Sequence, residues 1–215
     1  TMFLPIHDEN PRLGTPVVTI ALIGITLIGW FLVQGAGEPF ALARATCELG
    51  MIPGQLTGRA VGEVVPLGRG LVCVVDAQPA WHTVLTSMFL HGDWLHLLGN
   101  LWFLWLFGDN VEDELGHGGF AVFYLVCGVG AALTQLAVDP GAAVPMIGAS
   151  GAISGVMGAY VVRFPRAPVR VLAILIVFLT VIRVPAIFVL GYWFLLQLLG
   201  ALPQLGGHAA GVAFW

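Results

Sequence analysis

The chain has 215 residues, of which 58% are apolar and only 9% are charged. Its charged set consists of 8 Arg and 12 Asp or Glu, with no Lys. Soluble domains carry roughly 25% charged residues, so this chain has too few charges to cover a soluble surface. The composition excludes a soluble globular enzyme, a disordered chain and a nucleic-acid-binding protein that works through basic patches. It predicts an all-α polytopic membrane protein.

Charge-poor windows in the sequence predict five membrane spans. In chain order they cover 15–33, 93–109, 119–138, 139–163 and 185–201, and the second helix is expected to start near His91. A helix needs about 17 to 25 residues to cross a bilayer. The residues after 201 can begin a sixth span but not complete it. We therefore expect the chain to stop about one helix short of a six-span bundle, and Thr1 before Met2 to indicate a non-native start.

The placement of Arg predicts the orientation of the chain. Four Arg lie in the loop 163–183, whose apolar part, 171–182, is too short to cross and is expected to form an interfacial or re-entrant hairpin. Because short cytoplasmic loops are rich in Arg, this loop and the N-terminus are predicted to be cytoplasmic. The long loop 35–80 then lies on the outer face. In that loop Cys47 and Cys73 either form a disulfide or remain thiols.

Three polar side chains are predicted to lie at a similar depth inside the membrane. Ser150 comes 13 residues before Arg163. His96 likewise comes 13 residues before Asp109, so both lie roughly 20 Å above the inner boundary at about 1.5 Å per residue. Asn100 follows His96 by four residues and shares its helix face. Polar groups in a bilayer are costly and tend to mark function, and antiparallel neighbouring helices are expected to bring these together.

The same residues also have a purely structural interpretation. Ser150 stands in a Gly- and Ala-rich segment, where a Ser usually serves helix packing. His96 and Asn100 can make a simple hydrogen bond between helices. Gly148 and Gly151 flank Ser150, let the backbone approach a substrate, and place N–H groups near a helix N-terminus, which suits an oxyanion. The shared depth favours a common site, in which Ser150 needs a base to become a nucleophile.

Several short motifs, in order and on the appropriate spans, resemble the rhomboid family of intramembrane serine proteases. The segment Gly148-Ala-Ser150-Gly151 resembles the nucleophile motif GxSG of that family. His91, His96 and Asn100 have the spacing of its second-span motif, and residues 107–113 (FGDNVED) match it further. The similarity runs from about residue 2 to the last residue. It implies one domain, 1–215, built as a six-span helical bundle of bacterial type in a bacterial inner membrane.

The resemblance implies a role for each of these residues. Ser150 would be the nucleophile of a Ser–His dyad, and Asn100, His96 and the backbone N–H of Ser150 would form the oxyanion hole. His91 would help to shape the mouth of the site, which opens to the outer face. The substrates would be transmembrane helices of other membrane proteins, cut near their outer ends. No cofactor, metal or nucleic acid is implied, and the sequence does not predict an oligomeric state.

The general base has two candidates in the sequence. The family uses a His early in the sixth span, in a pattern like Ala-His-x-x-Gly, and His208 in the segment 207–211 (GHAAG) fits His-x-x-Gly. In similar rhomboids the run Gly-Val-Ala-Phe-Trp, found in this chain at 211–215, comes directly before the catalytic His. The base is therefore expected just beyond Trp215, with His208 as the alternative. We expect residues 1–215 on their own to be inactive.

Two other functions remain open from the sequence. A non-catalytic rhomboid-like protein would bind membrane proteins for quality control, but such proteins usually lack the Ser that this chain has at position 150. A small transporter would use His96 and Asn100 as a polar relay. Reaction of Ser150 with a serine-directed probe would separate these functions from a protease.

Overall fold

The computed structural model describes residues 2–175 and 178–205, so His208 and the segment beside it lie outside the described residues. The helices are α1 (Val17–Ile28), α2 (Pro39–Leu49), α3 (Pro53–Leu56), α4 (Thr83–Thr86), α5 (Trp94–Val138), α6 (Ser150–Arg163) and α7 (Ala186–Leu205). The strands are β1 (Met2–Asp8), β2 (Val64–Gly68), β3 (Leu71–Val74), β4 (Pro168–Leu175) and β5 (Phe178–Pro185).

The long helix α5 consists of two limbs that meet at Gly116. This residue has a φ of 69° and a ψ of 160°, which interrupts the helical geometry between 94–115 and 117–138. A positive φ costs Gly little because it has no Cβ. Within the described residues, α5 is the one helix that is long and apolar enough to cross a membrane, and Val17–Val33 and Ala186–Leu199 are shorter apolar helices.

The second limb of α5 packs closely against α6 through small residues. A Cβ on Gly151 would collide with the Cβ of Ala131, and a Cβ on Gly155 would collide with the side chain of Cys127. The later residue of α6 meets the earlier residue of α5, so these two helices run antiparallel. Small residues allow helix backbones to approach closely in a membrane.

The first limb of α5 runs parallel to α6. At one end the imidazole of His96 lies beside Gly148, just before α6 begins. At the other end the rings of Phe107 and Tyr160 are 4.9 Å apart. The expectation that antiparallel helices bring His96 to the segment of Ser150 is therefore wrong. The second limb of α5 returns the chain between these segments, so their helices point the same way.

Strands correct the expectation of an all-α chain. Strand β4 pairs antiparallel with both β1 and β5, and β2 pairs with β3 in the outer loop. The segment 168–185 is rich in Val and Ile, which favour extended backbone, and it is too short to cross as a helix. Residues 171–175 and 178–182 thus belong to two paired strands, to which the N-terminal residues add a third.

A buried carboxylate joins α1 to the first limb of α5. Glu112 is 1% exposed and accepts hydrogen bonds from the backbone N–H groups of Val18 and Thr19 at 2.8 Å each. The hydroxyl of Thr19 also donates to Glu112, at 2.7 Å. The first turn of a helix has N–H groups without intrahelical partners and favours negative charge. The end of one limb of α5 therefore fixes the start of α1.

A disulfide between Cys47 and Cys73 ties α2 to β3 in the outer loop. The two Cα atoms are 5.5 Å apart, within the ordinary range for this bond. Cys73 is buried in a small apolar cluster with Ile52, Ala60 and Val65. Of the two alternatives that the sequence leaves open for these cysteines, the structure contains the disulfide.

Candidate active site

Ser150 is the first residue of α6 and is partly buried. Ala149 precedes the helix, and the N–H of Ile153 donates to its carbonyl oxygen at 3.0 Å. The positive end of the helix dipole therefore lies at Ser150, where it stabilises negative charge. The hydroxyl of Ser154 donates to the carbonyl oxygen of Ser150 at 2.7 Å, which holds this second Ser within the helix.

Gly148 lies between Ser150 and His96. Its φ is +126°, and its N–H donates to the carbonyl oxygen of Ser87 at 2.9 Å. A Cβ on Gly148 would lie 2.7 Å from Nε2 of His96 and 3.8 Å from Oγ of Ser150. The absence of a side chain lets the imidazole and the Ser hydroxyl border the same small space. This glycine is required by both its backbone angle and its neighbours.

His96 is oriented by the start of α5. Asp93 precedes the helix, and its carboxylate accepts a hydrogen bond from the backbone N–H of His96 at 2.8 Å. The N–H of Gly92 donates a long hydrogen bond to Nδ1 of the imidazole, at 3.4 Å. The opposite ring nitrogen, Nε2, faces Gly148. The partly buried ring therefore presents Nε2 to the segment that carries Ser150.

His91 and Asn100 form a buried pair beside His96. Nε2 of His91 and Nδ2 of Asn100 are 2.9 Å apart, and the two residues are 0% and 9% exposed. The rings of His91 and His96 pack edge to face with centroids 5.0 Å apart. His91 is thus enclosed, rather than at the mouth of the site as expected. It precedes Trp94, where the helix begins, and the chain folds it back against the helix.

The two glycines that flank Ser150 have different surroundings. Gly148 faces the His96 ring and Ser150, whereas Gly151 faces Ala131 of the neighbouring helix. The sequence suggested that both let the backbone approach a substrate. The contacts of Gly151 are those of close helix packing, and only Gly148 borders the space between the two polar side chains.

Gln34 is a residue of this region that sequence reasoning missed. It is fully buried, its Nε2 donates to the carbonyl oxygen of His91 at 2.7 Å, and its Oε1 accepts from the N–H of His91 at 2.9 Å. A signal was present, because a polar amide at the end of the first apolar window needs partners if it is buried. The partner lies 57 residues along the chain and no local pattern indicates it.

A cleft of about 770 Å³ separates the outer loop from the site. Its walls include Leu42 of α2 and Val65 of β2, and its lining reaches Asp93 and Ile147 next to the polar residues. The lining of the cleft therefore comes within three residues of His96 on one segment and of Ser150 on the other. Within residues 2–175 and 178–205, no group of three or more His, Cys, Asp or Glu is placed to hold a metal ion.

The chemistry of these groups suits the transfer of an acyl group. A Ser hydroxyl at a helix N-terminus lies near an imidazole, and a buried amide follows four residues later on the helix of that imidazole; both groups can donate hydrogen bonds to a developing oxyanion. A family model described as Rhomboid domain matches residues 78–215, a range that includes His91, His96, Asn100 and Ser150. The chain belongs to the rhomboid family. Rhomboids are helical, polytopic, integral membrane proteins, usually intramembrane serine proteases, that act on transmembrane substrates within the bilayer.

Several curated relatives are similar to part of this rhomboid. "Rhomboid-like protein 11, chloroplastic" of Arabidopsis thaliana is 48% identical over 77 residues, 36% of this chain and 27% of the relative. "Rhomboid protein 1, mitochondrial" of Saccharomyces cerevisiae is 32% identical over 91 residues, 40% and 26% of the two chains. "Presenilin-associated rhomboid-like protein, mitochondrial" of Homo sapiens is 27% identical over 129 residues, 57% and 34%.

The alignments of this rhomboid with these relatives span about a third or less of the relatives' length. The named relatives belong to chloroplasts and mitochondria, and they give no support to a bacterial type or a bacterial inner membrane. Some carry the term rhomboid-like in their names. No solved structure matches the chain.

Proposed function

We propose that the complete protein is an intramembrane serine endopeptidase with Ser150 as its nucleophile. The observation that carries this proposal is the position of Ser150 at the start of α6, with only Gly148 between it and Nε2 of His96. Asn100, which is buried, lies about one turn after His96 on the same helix. Packing alone needs a small residue at position 150 but no imidazole and amide on the neighbouring helix.

In the proposed mechanism a general base takes the proton from Oγ of Ser150 as this oxygen attacks the scissile carbonyl carbon. Asn100, His96 and the backbone N–H of Ser150 donate hydrogen bonds to the oxyanion that forms. The base then gives the proton to the leaving amine, and water hydrolyses the acyl-enzyme. The candidates for the base remain His208 and a His beyond Trp215. No step uses a metal or a cofactor.

The proposed substrate is a transmembrane helix of another membrane protein, unwound near its outer end. The cleft between the outer loop and Ile147 supports this proposal because its lining is largely apolar and extends to Asp93 and Ile147, close in sequence to His96 and Ser150. We also propose that the site opens to the outer face, with the N-terminus and the loop 163–183 in the cytoplasm. Four Arg in that loop favour this orientation.

The substitution Ser150→Ala in the full-length protein tests this function. We expect it to abolish both the cleavage of a reporter transmembrane helix in liposomes and the labelling by a fluorophosphonate. Ser154→Ala is a matched control from the same helix, because it leaves the nucleophile in place, and we expect it to retain both. Cleavage that survives Ser150→Ala would contradict the proposal. Substrate binding without labelling would instead indicate a non-catalytic rhomboid-like protein.

A further inference from the structure

We propose that Gln34 is a positioning residue for the oxyanion hole, acting through His91 on the side-chain amide of Asn100. The proposal rests on the function proposed above and deepens it. Gln34 lies at the end of the first apolar helix, outside the range 78–215 that the family model matches. Its side chain reaches the site from a different part of the fold than α5 or α6.

The contact between Gln34 and His91 is a reciprocal pair of hydrogen bonds. The side-chain amide donates to the carbonyl oxygen of His91 at 2.7 Å and accepts from its N–H at 2.9 Å. Both bonds come from one planar amide, so they fix the direction of the His91 backbone as well as its distance. Because Gln34 and His91 are both 0% exposed, water does not replace either bond when it breaks.

A π turn directs Gln34 toward His91. Residues Gly29–Val33 form this turn after α1, and the N–H of Gln34 donates to the carbonyl oxygen of Gly29 at 3.0 Å. One extra residue in a turn rotates the residues after it by about 100° relative to an α-helix. The turn is itself held at the start of α5, because Trp30 is fully buried and its ring packs 5.2 Å from that of Trp94.

The effect on Asn100 follows from the donors and acceptors of the pair. Nδ2 of Asn100 lies 2.9 Å from Nε2 of His91, so the amide donates one of its two hydrogens to the ring. The second hydrogen then remains for the oxyanion. If His91 turned away, Asn100 could rotate and present its oxygen instead, which repels an oxyanion. In the tautomer whose Nε2 carries no proton, a fixed His91 therefore selects the amide orientation that stabilises the intermediate.

The substitution Gln34→Met, which keeps the length of the side chain and removes the amide, tests this role in the full-length protein. We expect kcat to fall about 10- to 100-fold, with KM changed less than about twofold. In an Asn100→Ala background the same substitution should lower kcat less than about twofold, because the residue on which it acts is gone. Gln78→Met is the control, since Gln78 is an exposed residue of the outer loop and does not line the cleft.

A second variant, Gln34→Glu, keeps the test decisive if Gln34→Met does not fold. Ionised Glu accepts from the N–H of His91 but has no hydrogen for its carbonyl oxygen, whereas protonated Glu restores both bonds. The ratio of variant to wild-type kcat should therefore rise as the pH falls. Dividing by the wild-type kcat removes the titration of groups common to both proteins, including His96 and Asp93.

Each outcome decides between the two proposals. Unchanged kcat in Gln34→Met, or a flat ratio in Gln34→Glu, would overturn the role of Gln34 while leaving the protease in place. An equal loss of kcat in the wild-type and Asn100→Ala backgrounds would also overturn it, since a merely structural residue acts on both alike. A full-length wild-type protein that neither cleaves nor is labelled at Ser150 would overturn both proposals.

Discussion

The two ends of the pair formed by α6 and the first limb of α5 hold their polar groups in different ways. At the end that contains Ser150, the Asp93 carboxylate caps α5, and the other contacts come from neutral groups such as the Gln34 amide and the His91–Asn100 pair. At the opposite end they come from carboxylates. Glu112 bonds the first turn of α1, and Asp113 accepts from the N–H of Gly14 at 3.1 Å.

At this end, which we call the carboxylate end, acidic residues also bond to α6 and within the three-stranded sheet. Asp8 of β1 accepts a hydrogen bond from the hydroxyl of Tyr160 at 2.9 Å, and Glu9 pairs with Arg170 and Arg183 at 2.6 and 3.0 Å. The hydrogen bond from Arg170 holds the pKa of Glu9 below its usual range. Several carboxylates thus join elements of the fold at one end, whereas at the other end mainly neutral, directional hydrogen bonds set the geometry of a few side chains. Substitutions should affect stability and catalysis separately at the two ends.

The largest effect is expected from Gly148→Ala. The new Cβ meets the His96 ring at 2.7 Å, and the φ of +126° is strained for any residue with a side chain. We expect kcat for a reporter helix to fall about 100- to 1000-fold, the range found for disturbed oxyanion holes. Gly158→Ala is the control, because nothing lies within 4 Å of its Cβ position. A normal kcat in Gly148→Ala would contradict the conclusion that the contacts around Ser150 set the geometry needed for catalysis.

Loss of the disulfide should have the next largest effect. Its cysteines are 26 residues apart, and a loop of that length corresponds to about 3.5 kcal/mol of stability. We expect the double substitution Cys47→Ser with Cys73→Ser to lower the free energy of unfolding in detergent by about this amount. The KM should rise because α2 and the β2–β3 hairpin line the cleft. Dithiothreitol should destabilise the wild type and leave the variant unchanged.

Glu112→Ala tests the carboxylate end and should cost about 2 kcal/mol of stability. The substitution removes the acceptor of three hydrogen bonds at the start of α1. Denaturant unfolding measures the loss, and kcat under conditions where the variant is folded should match the wild type. The exposed pair of Glu114 and Arg163 is the control, because Glu114→Gln should change stability by less than about 0.5 kcal/mol. A large fall in kcat would show that the ends are coupled.

The smallest effect is a pH dependence at Asp8. Burial raises the pKa of this carboxyl, although the Tyr160 hydrogen bond and His7 oppose the shift. A raised pKa in the folded state stabilises the fold below the unfolded value, and this contribution is lost as the pH rises through the folded value. Asp8→Asn keeps an acceptor for Tyr160 and removes the titration. The stability of the variant relative to wild type should therefore increase from about pH 4 to about pH 7; a constant difference would refute this.

Local sequence patterns indicate the polar residues of the candidate site but not the residues that hold them in position. The charge-poor windows overlap with α1, both limbs of α5, α6 and α7, but α6 begins at Ser150 and fills only the second half of the window 139–163. The motif residues His96, Asn100 and Ser150 follow from helical spacing and depth. Gln34 and the burial of His91 depend on a π turn and a non-helical bend, which spacing along a regular helix does not describe.

The strands were missed for a different reason. The expectation for 171–182 rests on its apolar length, whereas its abundance of β-branched residues favours extended backbone. Its pairing partner β1 is at the far end of the sequence, with Glu9 and Arg170 separated by 161 positions. A pairing of such sequence separation leaves no trace in local composition.

That separation has a consequence for biosynthesis. Strand β1 is synthesised before α1, α5 and α6, whereas β4, the strand that pairs with it, is synthesised after them. Because a domain is made from its N-terminus onward, residues 2–8 must wait with unpaired backbone groups while the helices enter the bilayer. Contacts so distant in sequence are slow to form. Among the described elements, β1 is therefore one of the last to reach its final contacts. Its pairing with β4 requires that the fourth predicted span, 139–163, has already been synthesised.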